Sequence, residues 1–292
     1  MKKVAKEDCI FAFSPNNQPV LTVSPGEQVH FELWDALCGQ YETDETKAAF
    51  DWERVNPATG PVYIEGAEEG DILSVTINKI NIAPHGVALC GKGMGVMGNV
   101  LEKTASRKIA IEGNEAIFSE KIRLPLNKMI GVIGTAPKDE DIRCGVPDHH
   151  GGNMDCKEIT EGATVYLPVY VKGALLAMGD LHAVMADGEI GVTGVEVSGS
   201  VIATINVIKA KKMPLPMLEN DLFIMTLASH VDLDVAVEMA VANMVEYLEH
   251  QGFDKYDATM LISLIADVRI CQVVDPKKTA RVEFPKKYLS CI

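Results

Sequence analysis

The chain has no CxxC pair, no GxSxG elbow, no glycine-rich loop ending in GK[ST], and no apolar run near the roughly 18 residues of a membrane span. Its seven cysteines are odd in number and scattered, which fits a reduced, cytoplasmic protein. Without GxSxG a Ser–His–Asp triad is not indicated, and without GK[ST] the glycine-rich stretch GKGMGVMGN (91–99) is not a phosphate loop. That stretch is expected to be a flexible loop near a pocket, with a plain linker as the alternative. Basic charge is scarce: 27 Lys and Arg stand against 41 Asp and Glu, a net charge of -14. Such a surface repels phosphate backbones, so no nucleic acid is expected, and it suits a neutral or cationic small molecule. The opening MKKVAK is basic, but no apolar signal stretch follows it, and no membrane association is expected.

What is present is a chain of 292 residues, 47% apolar and 23% charged, long enough to bury a substantial core. Segments 19–23 (PVLTV), 28–33 (QVHFEL), 71–77 (DILSVTI), 164–171 (TVYLPVYV) and 189–197 (EIGVTGVEV) read as strands. They are β-branched or alternating, and are bounded by Gly, Pro, Asn and Asp. Segment 197–212 continues the pattern. Many short strands at close spacing predict sandwich or barrel layers. The character changes near MPLP (213–216). Segment 231–251 carries Val235, Met239, Ala242, Val245 and Leu248 at helical spacing, with Asp232 and Asp234 near its start. A second helix is expected over 256–266 with Asp257 as a possible cap, then a strand over 268–274. The fold class is therefore mainly β with an α+β C-terminal part: a β-rich body over 1–212 and an α+β unit over 213–292.

Four groups of side chains bear chemistry. HHGGNMDCKEI (149–159) packs two histidines and several polar groups around a glycine pair. Gly151 and Gly152 permit a tight turn that aims His150 and Asp155 into one cavity; the plainer reading is a surface turn. GDLHAVMADGE (179–189) supplies Asp180, His182, Asp187 and Glu189 at the end of an apolar run, with Asp180 and His182 on one strand face. Asp187–Gly188 reads as a hairpin turn, and His182 is either a ligand or a core histidine. Glu196 interrupts an apolar β-run, where it is either compensated by a metal or histidine or faces solvent. His30, Glu32 and Asp35 fall within six residues, His30 and Glu32 on one face. Together these are the hard oxygen and imidazole donors of a hydrolytic metal site. Cys156 is a competing nucleophile, with nothing in the sequence that visibly lowers its pKa.

Several segments, in order, resemble the acetamidase/formamidase family: NPATGPVYIEGAEEGDIL (56–73), GVIGTAP (131–137), HHGGNMDCKEI, LPVYVKGALLAMGDLHAVMADGEI (167–190), DLDVAVEMAVANMVEYL and LISLIADVRICQVVDP (261–276). The resemblance covers most of the chain. It implies a mostly β protein that hydrolyses short aliphatic amides to a carboxylate and ammonia, with a divalent metal, zinc or calcium, in at least some members. Carried over residue by residue, it implies metal ligands at His30, Asp35, Asp155, His182 and Glu196. It implies Glu65 as general base or acid. For the mechanism, a His150–Gly151–Gly152 turn is expected to offer backbone N–H groups to the developing oxyanion. Gly151, Gly152 and Asn153 are then the substrate-binding residues. The expected partner is a small neutral amide, and the expected assembly a homodimer.

Overall fold

Alternation sets the central strands. In strand Gln28–Leu33, Val29, Phe31 and Leu33 are buried while Gln28, His30 and Glu32 turn away from the core. In this computed structural model, which describes residues 1–41 and 51–291, that strand belongs to a nine-stranded sheet. Its order is Lys2–Val4, Gln28–Leu33, Gly199–Ile208, Ile72–Ile82, Thr164–Pro168, Met217–Glu219, Phe223–His230, Lys278–Pro285 and Asp267–Gln272. Pairing of Thr164–Pro168 with Met217–Glu219 carries the sheet across Lys212 without a break. A six-stranded sheet runs Gly151–Asn153, Met129–Gly134, Leu176–His182, Ala58–Ile64 and Cys9–Ile10, with Leu21–Val23 beside Ala58–Ile64. A four-stranded meander, His85–Cys90 to Ile122–Pro125, stands next to it.

Phe31, Val75 and Val201 of the large sheet share one apolar core with Ile130, Ile133, Met178 and Leu181 of the six-stranded sheet. The molecule is thus mostly β, with sheets packed face to face. Two helices near the C-terminus, Leu233–His250 and Lys255–Ile265, form a second core with Phe223–His230 and Lys278–Pro285. The first helix is capped by Asp232, whose carboxylate accepts from the Asp234 N–H at 2.9 Å. Its buried stripe is Ala236, Ala240, Met244, Val245 and Leu248. The expected stripe was rotated: Met239 is 42% exposed and Ala242 faces outward. Small alanines let the helix close on the sheet, where the Thr226 hydroxyl donates to the Ala240 carbonyl at 2.7 Å. The second helix is capped by Asp254, not Asp257.

Segment 189–197 is not a strand. Glu189 and Val192 have positive φ, and only Glu196 makes β-bridges. The apparent alternation hides a requirement for Gly194, whose Cβ would stand 2.9 Å from His182 Cγ. A turn does form at Asp187–Gly188, with the Glu189 N–H donating to the Ala186 carbonyl, but it joins no hairpin: Gly188 instead bridges Gln272 in parallel.

Arg281 anchors this turn from inside the protein. It is 1% exposed, donates to Asp187 at 2.7 and 3.0 Å, and donates to Glu283 at 2.7 Å. Burial works against the Asp187 carboxylate, but Arg281 and then Lys157 outweigh it and hold its pKa below the ordinary value. Removing one partner from such a network leaves buried charge uncompensated. Arg281→Ala is therefore expected to cost about 3–5 kcal/mol of stability, read as a fall in the urea midpoint.

Candidate active site

Strand Leu176–His182 is buried along its whole length between Met129–Gly134 and Ala58–Ile64. Asp180 and His182 project from it to the same side and meet side chains from two other segments. One is Asp155, just after the Gly151–Asn153 strand; the others are Glu189 and Glu196. The ligand atoms form two overlapping triads, Asp155/Asp180/His182 and His182/Glu189/Glu196, each within 4.8 Å. His182 Nε2 lies 3.0 Å from Glu196 Oε1, 3.2 Å from Asp180 Oδ1 and 3.8 Å from Glu189 Oε1.

Backbone placement is as specific as the side chains. Ile130 pairs with Leu181 and Val132 with Gly179, which sets Gly131 opposite Asp180. A Cβ at Gly131 would stand 2.2 Å from Asp180 Oδ2 and 2.4 Å from Asp155 Oδ1, so only glycine leaves room for both carboxylates. Asp155, Asp180 and Glu189 all have positive φ, at 43°, 59° and 45°. Backbone in this region is uncommon outside glycine and concentrates at functional sites.

The electrostatics follow from crowding acids in a dry place. Burial pushes the Asp155 and Glu189 carboxyls well up, and neighbouring carboxylates add to it. Glu196 is pushed up to about 8 by burial, with Asp180 adding to the shift and His182 opposing it. Burial disfavours the charged His182 ring, yet Glu196 and Asp180 raise its pKa well above the usual histidine value. Both Asp155 oxygens, Asp180 Oδ1, Glu196 Oε2 and His182 Nδ1 are buried without a hydrogen-bond partner. Unpaired acceptors at this depth are costly, and a cation satisfies them. The donor set of carboxylate oxygens and one imidazole fits zinc or calcium.

The cluster floors a cavity of about 360 Å³. Asn153, Asp180, His182, Glu189, Glu196 and Asp275 line its polar end, and Leu37, Val55, Leu89, Met94, Val146 and Val192 are among its apolar walls. Met94 brings the 91–99 loop to this cavity, as expected of that stretch. An ion pair between Arg143 and Glu53 lies at the lining beside Trp52.

Of the ten residues singled out in the sequence, the structure brings Asp155, His182 and Glu196 into one cluster, with Asn153 beside it. The others lie apart. His30 is on the outward face of its strand, in a surface groove with Lys6 and Glu32. Asp35 caps its own turn, accepting from the Leu37 and Gly39 N–H groups at 2.9 and 3.1 Å. Glu65 is exposed and accepts from the Ser24 hydroxyl at 2.7 Å, because EGAEEGD is a surface turn. His150 is a core residue, 0% exposed and edge-on to Phe13, and burial pushes its pKa down to about 3. Gly151 and Gly152, at φ 101° and 83°, allow close backbone approach. The Gly151 N–H already donates to the Asp148 carbonyl. Cys156 is fully buried and outside the cavity lining, and burial and Cys271 hold its thiol well above the usual value, which argues against a nucleophile there.

Three residues of the cluster and cavity were not among the ten: Asp180, Glu189 and Asp275. Asp180 and Glu189 stood in the quoted GDLHAVMADGE segment, and same-face spacing with His182 signals Asp180. Asp275 had no signal beyond its place in QVVDP.

A model of the acetamidase/formamidase family matches residues 2–144 and 139–289. A formamidase of Methylophilus methylotrophus is 24% identical over 328 residues, covering 85% of this chain and 81% of its own length. A relative from Schizosaccharomyces pombe matches over 253 residues, 61% of its own length. Among solved structures, an acetamidase of Bacillus halodurans is 43% identical with a TM-score of 0.97, covering 99% of both chains. A protein of Thermoanaerobacter tengcongensis, described as a predicted acetamidase/formamidase, is 46% identical with the same TM-score, covering 99% of this chain and 97% of its own. With this fold, this site and these matches, the chain belongs to the acetamidase/formamidase family, the amide hydrolases for which its relatives are named.

Proposed function

We propose that this chain cleaves the C–N bond of short aliphatic amides to a carboxylate and ammonia, with a divalent zinc or calcium ion held by Asp155, Asp180, His182, Glu189 and Glu196. The observation that carries the reading is the set of unpartnered, buried donor atoms on the floor of a substrate-sized cavity. When bound, such an ion would polarise a carbonyl, and zinc would lower the pKa of water toward ~7. The chain supplies the rest. Its apolar walls exclude bulk water and leave room for an acyl group. Asn153 and Asp275 line the polar end of the cavity, and a carboxylate there takes the proton in place of Glu65, which is exposed and is not part of the lining.

The exposed Glu65 favours a second reading, a metal-binding module of this fold without hydrolysis. The crowded cavity acids support the hydrolase reading over it, since they provide proton acceptors that Glu65 was expected to be. The unpaired cysteines among the described residues support a reducing, cytoplasmic setting. The exposed Tyr256, Met260 and Leu264, on one face of the second helix, supply apolar surface for a homodimer.

Ammonia release from formamide and acetamide is expected only after zinc or calcium is restored to metal-free protein; release without metal would count against the site. Asp155→Ala and His182→Ala are each expected to lose bound metal and turnover together, and a fully active variant of either would sink the assignment. Gly131→Ala forces two carboxylates to move, and a displacement of about 1 Å at a reacting centre costs on the order of a hundredfold in turnover. Circular dichroism of that variant is expected to keep the β signature while amide turnover falls.

A further inference from the structure

The acids of the cavity floor divide into two kinds. Asp155, Asp180 and Glu196 are at most 2% exposed and are bound up in the ligand triads. Asp275 belongs to neither triad, lines the cavity and is only half-buried, so a small molecule reaches it without displacing a metal ligand. Asn153 Nδ2 donates to Asp275 Oδ2 at 2.9 Å, which fixes the orientation of the Asn153 amide. The other end of that amide, Oδ1, is buried with no partner. This corner therefore offers acceptors, with its one amide donor already engaged.

Acceptors without donors recognise a group rich in N–H. We propose that Asn153 Oδ1 and the Asp275 carboxylate together receive the two N–H groups of a primary amide, making Asp275 a specificity-determining residue for the unsubstituted nitrogen; this rests on the hydrolase reading above. Asp275 also meets the Asp155 side chain, which sets this corner at the edge of the ligand cluster.

The frame around Asp275 is built to hold it still. Gln272, 0% exposed, accepts through Oε1 from the Val274 and Asp275 N–H groups at 2.9 and 3.0 Å. Its Nε2 donates to the Lys277 carbonyl at 2.7 Å. Lys277 in turn pairs with Asp148, tying the turn to the loop that leads into Asn153. A preorganised acceptor pair of this kind discriminates by leaving its own groups unpaired when the substrate lacks the donor.

The test uses the metal-loaded full chain and Asp275→Asn. Two probes are compared: acetamide as substrate, and N,N-dimethylacetamide, which has no N–H, as competitive inhibitor. The variant is expected to keep its metal content, to lose about tenfold or more in kcat/KM for acetamide, and to keep the inhibition constant of dimethylacetamide within about twofold. A structural role would weaken both compounds alike. Equal losses for both, an unchanged kcat/KM for acetamide, or loss of metal would each overturn the proposal. Asp275→Ser gives the same readout where the asparagine variant does not fold. If the wild-type chain turns over no primary amide, the hydrolase reading fails first and this inference with it; normal wild-type turnover with an unaltered variant defeats the inference alone.

Discussion

Everything in this structure answers to the cost of placing four carboxylates around one imidazole in a dry interior. Each buried ion costs several kcal/mol after relaxation, and like charges within a few ångströms add to it. His182 offsets part of that cost through Glu196 and Asp180. It does not offset all of it, as the unpartnered oxygens of Asp155, Asp180 and Glu196 attest. On the proposed reading, a cluster that is unfavourable by itself would become favourable around a cation, so the stability of the site would depend on that ion.

Such a cluster needs a scaffold stiff enough to keep repelling groups together. Strand Leu176–His182, flanked on both sides, provides the rigid floor for Asp180 and His182. Gly131 provides the gap opposite, and Gly194 the space over the histidine ring. The Glu189 turn is held by a parallel bridge from Gly188 to Gln272 and by Arg281, through Asp187 two residues earlier. The buried guanidinium thus serves the site from its far side. It does so from strand Lys278–Pro285, in the same C-terminal segment whose preceding turn delivers Asp275.

The fold was largely legible because its strands obey alternation and its helices obey capping and spacing. Strand Gln28–Leu33 was read with its observed bounds, and both helices within a few residues. Sequence and structure part where residue size, not polarity, decides: Ala236 and Ala240 rather than Met239 face the sheet, and 189–197 is a glycine-dependent loop rather than a strand. At the site, residues within one strand or turn of each other were found together, as with His182 and the acids near it. His30, Asp35 and Glu65 misled because a polar residue on a strand face or in a turn carries no mark of which side it will face. Asp275 was invisible because its role depends on a contact with Asn153 across 122 residues of chain.

The charge of the cavity also bears on what enters and leaves it. A neutral amide approaches an acidic floor without Coulomb penalty, whereas a carboxylate meets repulsion that falls off slowly in a low-dielectric pocket. On the proposed reading the substrate is neutral and one product is an anion. The floor that tolerates the first disfavours the second once the bond is broken, wherever the cation does not retain it. The surface as a whole, at a net charge of -14, extends the same preference to the approach. Charge of one sign, which argues against nucleic acid as a partner, is thus consistent at every depth with a site that takes in neutral amides and is poorly suited to keeping acids.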